Sequence, residues 1–294
     1  MSLWDDRSNK LSWIKKKQWT LLLISLCLIA LLLTACSDDS TPFSFPKSEL
    51  PIISFQGFNI PQFPTAQGQL NFAKSGFPDQ KEKKAALEIV FKIFPEAKLQ
   101  CGNAALYLAY MNLGYDYRFA AKKDYYHAIA DYHKVIKNFK EYPEILVKAF
   151  WYLGWIHCDL LNEIETGLSY FRHIVKTYPN IEMGISSPVP WVSLVYPLTA
   201  TGDQVVKQPA NKQWASLALL EIIRHSPDRI ETFNAFDMLW ENYSNTVSTG
   251  LAIKLMLKNK RYAQKALPYI EKYLALNIAN KFLAREIKEN AKKY

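Results

Sequence analysis

Glycine and cysteine are scarce in this chain, and the usual signatures of enzyme sites are missing. Ten glycines are spread over 294 residues, and none of them builds a phosphate-cradling loop. The sequence has no His-Glu-x-x-His, no paired Cys-x-x-Cys and no Gly-x-Ser-x-Gly elbow. Those absences remove the motif-bearing metalloprotease, zinc-ribbon, P-loop and serine-hydrolase chemistries. Histidine is also sparse: His127, His133, His157, His173 and His225. His157 falls on the core face of a helical pattern and reads as a buried imidazole. His127 and Asp131 stand one helical turn apart, the spacing of an ordinary surface pair. Glu221 and His225 share that spacing, and nothing beyond spacing joins them to a reaction. The expectation is therefore a protein that is not an enzyme, with no catalytic residue, no metal and no cofactor.

One long apolar run is present. It extends from Trp19 to Leu33, follows Lys15, Lys16 and Lys17, and ends in Thr34-Ala35-Cys36. A positive stretch, an apolar stretch and small residues in that order are the layout of a secretory signal. With a cysteine at the boundary, Leu33-Thr34-Ala35-Cys36 resembles the lipobox of bacterial lipoproteins. The resemblance implies removal of residues 1–35, lipidation of Cys36 and anchoring in an envelope membrane. A stable anchor takes more than one acyl chain, because each buried CH₂ contributes about 0.8 kcal/mol. Ser37 follows the cysteine, which by the sorting rules of such lipoproteins implies the outer membrane, facing the periplasm. An inner-membrane anchor or another leaflet is the alternative location. An uncleaved membrane helix is the alternative reading of the run, since it sits at the lower length limit for a span. The start codon could also lie downstream of Met1.

The formal charge is +9. Part of it lies in the signal segment, where Arg7, Lys10, Lys15, Lys16 and Lys17 face Asp5 and Asp6. Basic residues also concentrate between Lys254 and Lys293, interleaved with Glu271, Glu286 and Glu289. That pattern is a solvated helical face. Nucleic acid is not an expected partner in the envelope, and weak attraction to anionic lipid head groups fits the charge.

Internal repetition organises the rest. Ala128-Ile129, Tyr132, Val135-Ile136 and Phe139 mark the apolar stripe of an amphipathic helix. The stripe returns 39 residues later as Gly167-Leu168, Phe171, Ile174-Val175 and Tyr178. Pro143 and Pro179 follow the two stripes, where a helix cannot continue. Partial copies are Ala86-Leu87, Val90 and Ile93-Phe94 before Pro95, and Ala266-Leu267, Ile270 and Tyr273-Leu274. There Pro268 lies near the start of a helical pattern, where proline is tolerated. A second pattern precedes each central stripe: Tyr110, Leu113-Gly114 and Tyr117, then Phe150, Leu153-Gly154 and His157. These patterns together resemble tetratricopeptide repeats. Gly114 and Gly154 match the small position where the two helices of a repeat approach, and Ala128, Tyr132, Gly167 and Phe171 match the second helix. The units here exceed the family period of about 34 residues. Longer units ending in Tyr-Pro are similar to those of BamD-type assembly lipoproteins and related periplasmic proteins. The implied fold is all-α, a tetratricopeptide-like α-α superhelix of antiparallel helix pairs, which bury their faces by stacking. In that register Cys101 and Cys158 lie roughly 25 Å apart, beyond disulfide reach, so both are expected as reduced thiols.

The domain reading is a signal peptide at 1–35, a Pro/Phe-rich extended segment at 36–78, repeats at 79–179, an irregular insert at 180–213 and a helical C-terminal region at 214–294. Within the second segment, residues 52–63 are expected to lie extended against the helices. Trp214 to Arg224 reads as a helix, and Asp228 as the N-cap of the next. In tetratricopeptide repeats the first helix lines a concave groove. Carried over by register, the groove positions are Leu108, Met111, Tyr115, Arg118 and Phe119 in one unit, and Lys148, Trp151, Trp155, Cys158 and Asp159 in the next. Of these, Met111, Tyr115, Arg118, Phe119, Lys148, Trp151 and Trp155 are the partner-binding candidates, because aromatic, Met and Arg residues concentrate at binding hot spots. Trp151 and Trp155 stand one turn apart as an aromatic shelf. The alternative, that neighbouring helices or the Pro/Phe-rich segment cover the shelf, stays open on sequence alone. The implied function is a lipid-anchored scaffold that docks envelope proteins or peptides in an assembly, cell-wall or secretion complex. A second reading is a solute-binding or transporter-associated lipoprotein, with Trp191 and the Trp151/Trp155 pair around a small ligand.

Overall fold

Apolar side chains at helical spacing give nearly every segment one face to bury, and the computed structural model is accordingly built from α-helices. It describes residues 50–75, 79–113, 122–182, 214–276 and 281–294. The chain divides into two units, Met1–Ile53 and Ser54–Tyr294. The elements below belong to the second, β1 alone beginning in the first.

Strands β1 (Ile52–Phe55) and β2 (Phe58–Pro61) pair as a two-stranded sheet. Gln56 and Gly57 join them with φ of 52° and 83°. A two-residue hairpin turn of this kind needs left-handed backbone at both positions, which glycine adopts without steric cost. The expected extended run at 52–63 is thus a hairpin, and its second strand lies on helix α2 (Gln80–Ile93). There Lys92 sits 5.0 Å from the centre of the Phe55 ring, and Gln56 Nε2 donates to Glu88 Oε2 at 2.5 Å. Segment 36–78 is not extended throughout, because helix α1 spans Ala66–Ser75. Gln69 in α1 is fully buried. Its side chain accepts from the Phe63 amide at 2.9 Å and donates to the Pro61 carbonyl at 3.2 Å, which fixes the hairpin to the helix.

Helices α3 (Lys98–Met111), α4 (Lys122–Asn138), α5 (Pro143–Trp155) and α6 (Ile164–Thr177) carry the central repeats. Helices α7 (Trp214–His225), α8 (Arg229–Tyr243), α9 (Val247–Lys258), α10 (Lys260–Ala266), α11 (Ile270–Ala275) and α12 (Lys281–Ala291) follow. Consecutive helices from α1 to α10 pack on each other. In addition α1 meets α3, α3 meets α5, α5 meets α7, α7 meets α9 and α9 meets α12. One layer of alternating helices therefore runs unbroken through the described residues. The described residues are all-α apart from the small hairpin.

Punctuation follows local chemistry. Pro143 does not close the preceding unit as a terminator; it opens α5 at its first turn, where its missing N–H has no intrahelical partner to lose. Pro268 lies inside the 3-10 turn Leu267–Tyr269 that separates α10 from α11, so the C-terminal pattern is broken where an uninterrupted helix start was expected. Asp228 caps α8, accepting from the Ile230 amide at 2.9 Å. Helix α5 is apolar nearly all round, and its buried residues run from Ile145 to Trp155, as befits a helix enclosed by others. Gly154 and Gly167 mark the crossing of α5 and α6: a Cβ on Gly167 would stand 2.7 Å from the Gly154 carbonyl oxygen. Among the described residues no helix is long and apolar enough to cross a membrane; the Trp19–Leu33 run and Cys36 lie outside them.

Candidate functional site

The predicted groove residues divide three ways. Tyr115, Arg118 and Phe119 lie outside the described residues, as do the lipidation candidate Cys36 and Trp191. Met111, the last residue of α3, and Lys148 of α5 are half-buried. The Lys148 ammonium donates to Asn103 Oδ1 at 3.3 Å. Burial, reinforced by the charge of Lys74 and opposed by Glu144, lowers its pKa. Trp151 and Trp155 come together as their spacing requires, with rings stacked at 6.4 Å and 8°.

They do so inside the protein. Trp151 is 0% exposed and Trp155 4%. Trp214 of α7 lies 6.2 Å from the Trp151 ring and Phe171 of α6 lies 6.4 Å from it. The aromatic shelf is therefore corrected to a core cluster: α7 covers the face that the repeat register leaves open.

An aromatic strip elsewhere does reach the surface. Phe150 is half-buried, Tyr170 and Tyr178 are half-buried, and His133 and His173 are exposed. Phe150 meets His173 edge-on at 4.5 Å and stacks near Tyr170 at 6.2 Å and Tyr178 at 6.1 Å. Tyr170 also stacks on His157 at 5.7 Å and lies 6.4 Å from the His133 ring. Beneath it, the buried His157 is satisfied as expected, its Nδ1 standing 2.7 Å from Glu163 Oε2. The surface pair predicted for His127 is replaced. Asp131 instead accepts from Lys134 at 2.7 Å and from Asn112 Nδ2 at 2.5 Å, which ties the end of α3 to α4.

A polar cluster lies under the junction of α5, α6 and α7. Helix α5 continues into a π-helical turn, Ile156–Leu160, and ends at Asn162 with φ of 57°, a left-handed stop that asparagine tolerates. Inserted π-turns redirect side chains and concentrate at functional positions. This one carries Asp159. Helix α7 supplies Glu221, Arg224 and His225. His225 Nε2 stands 3.3 Å from both Asp159 Oδ2 and Glu221 Oε2. Arg224 donates to Asp159 Oδ1 at 2.8 Å and to Glu221 Oε2 at 3.3 Å. Burial depresses the His225 pKa, but the Asp159 and Glu221 carboxylates outweigh it and raise the value to about 9. Donor atoms of Asp159, Glu221 and His225 all lie within 4.8 Å of one another.

Cys158 does not join the cluster: its thiol points at the Ile164 carbonyl, 3.6 Å away. Burial, with the charges of Asp159 and Glu221, pushes that thiol up to about 12. Cys158 and Cys101 are both buried and both free. The sequence paired Glu221 with His225 by their spacing on one helical face, and it placed Asp159 separately, at a groove position. It held no signal to bring the two segments together. No family model matches the chain, and no curated protein and no solved structure matches it.

Proposed function

We propose that the protein is a lipid-anchored, non-enzymatic scaffold of the bacterial envelope, tetratricopeptide-like in its hairpin stacking, that docks peptides or protein subunits. The anchor is Cys36, and the setting is the periplasmic face of the outer membrane. The docking face is the strip around Tyr170 on α4, α5 and α6, in place of the Trp151/Trp155 pair.

The strip of Phe150, Tyr170, His173 and Tyr178 carries the reading, because it presents aromatic rings at the surface of a helix stack. Such rings give large contact area for little lost side-chain freedom and concentrate at hot spots. The small-ligand reading loses its wall, since Trp151 and Trp155 pack on core helices.

The test places a benzophenone side chain at position 170 of the full chain and irradiates intact cells. A discrete crosslinked species, identified by mass spectrometry and lost when His173→Ala and Phe150→Ala are combined, is expected. Thermal unfolding must show that the double variant remains folded. Crosslinking unchanged in that variant, or absent from the wild-type background, ends the docking proposal. Absence of palmitate label on the chain, or label that survives Cys36→Ser, ends the anchoring proposal separately.

A further inference from the structure

We propose that Asp159, Glu221 and His225 bind a divalent transition-metal ion that clips the α5–α6 hairpin to α7. The first argument is geometric. A tetrahedral ion with bonds of about 2.0–2.1 Å holds its ligand atoms about 3.3 Å apart. His225 Nε2 stands 3.3 Å from Asp159 Oδ2 and 3.3 Å from Glu221 Oε2. Glu221 and His225 lie on one face of α7, one turn apart, and the π-turn at Ile156–Leu160 brings Asp159 to them.

The second argument is independent of the first. Glu221 is 1% exposed, and its Oε1 has no hydrogen-bond partner. Asp159 Oδ2 and His225 Nε2 are likewise buried without one. The imidazole nitrogen stands 3.3 Å from both carboxylates, whose charge draws it to them. Buried polar atoms are ordinarily paired. Here Asp159 Oδ2 and His225 Nε2, two of the three atoms in that geometry, are not; on Glu221 the unpaired oxygen is Oε1, while Oε2 accepts from Arg224.

Arg224 completes the picture from outside. Its side chain is 37% exposed; it holds Asp159 Oδ1 at 2.8 Å, the oxygen that does not face His225, and also reaches Glu221 Oε2 at 3.3 Å. It acts as an orienting partner behind the ligand, a role on which metal affinity commonly depends. With a neutral imidazole, the two carboxylates and one guanidinium leave a net negative charge for the cation. Binding takes the place of the imidazole proton, which passes to solvent. The donors are one nitrogen and two carboxylates with no thiolate, a set that suits Zn²⁺, Mn²⁺ or Fe²⁺. Three protein ligands leave a further position for water.

The test uses the full chain, tag-free and stripped with chelator. Calorimetric titration with Zn²⁺ is expected to show one ion per chain, and thermal unfolding a higher midpoint with the ion bound. Glu221→Gln and His225→Gln should each weaken binding by at least about 10-fold, while Arg224→Gln keeps the one-to-one stoichiometry. Co²⁺ gives a reading that needs no variant: intense visible bands of low-coordinate cobalt support the site. A spectrum no different from aqueous Co²⁺ overturns it. So does Zn²⁺ binding of equal strength in the two ligand variants, or no binding at micromolar protein.

Discussion

The hairpin of α5 and α6 and the hairpin of α9 to α11 solve one problem by different means. In the first, the helix starts are uncapped by side chains: Tyr142 precedes Pro143 without a capping bond, and Glu163 does the same before α6. What holds this pair is backbone proximity at Gly154 and Gly167, with Trp151, Leu153 and Phe171 buried around it. In the second, Thr246 accepts from the Thr249 amide and Asn259 from the Arg261 amide, so α9 and α10 begin on side-chain caps. Tyr273 then reaches back to donate to the Thr246 carbonyl at 3.2 Å. One hairpin is fixed by bulk and contact, the other by short capped helices broken at Pro268. The orphan amides of the first turn are met by side chains at α9 and α10, whereas at α5 a proline removes one of them.

That contrast predicts two unequal glycine effects. Gly167→Ala should be the larger, lowering stability by about 3 kcal/mol. Its new Cβ would meet the Gly154 carbonyl at 2.7 Å and the Cys158 amide nitrogen at 3.0 Å, both backbone atoms that cannot turn aside. Gly250→Ala should cost about 1–2 kcal/mol. Its Cβ would meet Tyr273, with Cε1 at 2.6 Å, but a side chain can swing away at the expense of its bond to Thr246. Urea unfolding of the two variants measures both. A larger loss for Gly250→Ala would reverse the ranking and remove the distinction between the hairpins.

The sequence carried the hairpins more fully than the site. The stripe at Gly167, Phe171 and Ile174 repeats the one at Ala128, Tyr132 and Val135, and period alone places such residues inward. Asp228 was legible as a cap because it directly precedes a helical pattern. The register also kept Cys101 and Cys158 apart, and both are free. Trp151 and Trp155 were legible as neighbours but not as buried, because burial depends on what covers their face. The cover is Trp214 on α7, and α7 follows residues 180–213, where the repeat register stops. The same break hid the meeting of Asp159 with Glu221 and His225. Helix α1 was obscured by flanking prolines and phenylalanines, which made its surroundings read as extended. Gly250 matches no Leu-Gly pair of the central units; its role emerges from Tyr273 packed against it.

A smaller effect tests whether the two halves act as one cooperative body. Arg172 of α6 donates to Glu231 of α8 through Nε at 2.6 Å and Nη2 at 3.1 Å. Ser226 donates to the same carboxylate at 2.5 Å, and Arg172 also holds Glu165. The hydrogen bonds from Arg172, chief among the causes, lower the Glu231 pKa below its ordinary 4.5 against the opposing push of burial. A carboxylate depressed on folding contributes stability above its unfolded pKa and loses it as pH falls through the folded value. Stability from this group should therefore be fully present at pH 7, begin to decline near pH 4.5, and be gone once the folded carboxylate is protonated. Glu231→Gln should lower the unfolding midpoint slightly at pH 7 and flatten its fall below pH 4.5. The difference should shrink in high salt, because the Arg172 side chain is 39% exposed and open to screening. If the two hairpin regions unfold as one, the midpoint of a single transition shifts. If α2–α6 and α7–α12 part company first, the variant instead separates two transitions, and the seam at Arg172 and Glu231 is what had joined them. Identical pH profiles for wild type and variant would show that this ion pair links nothing.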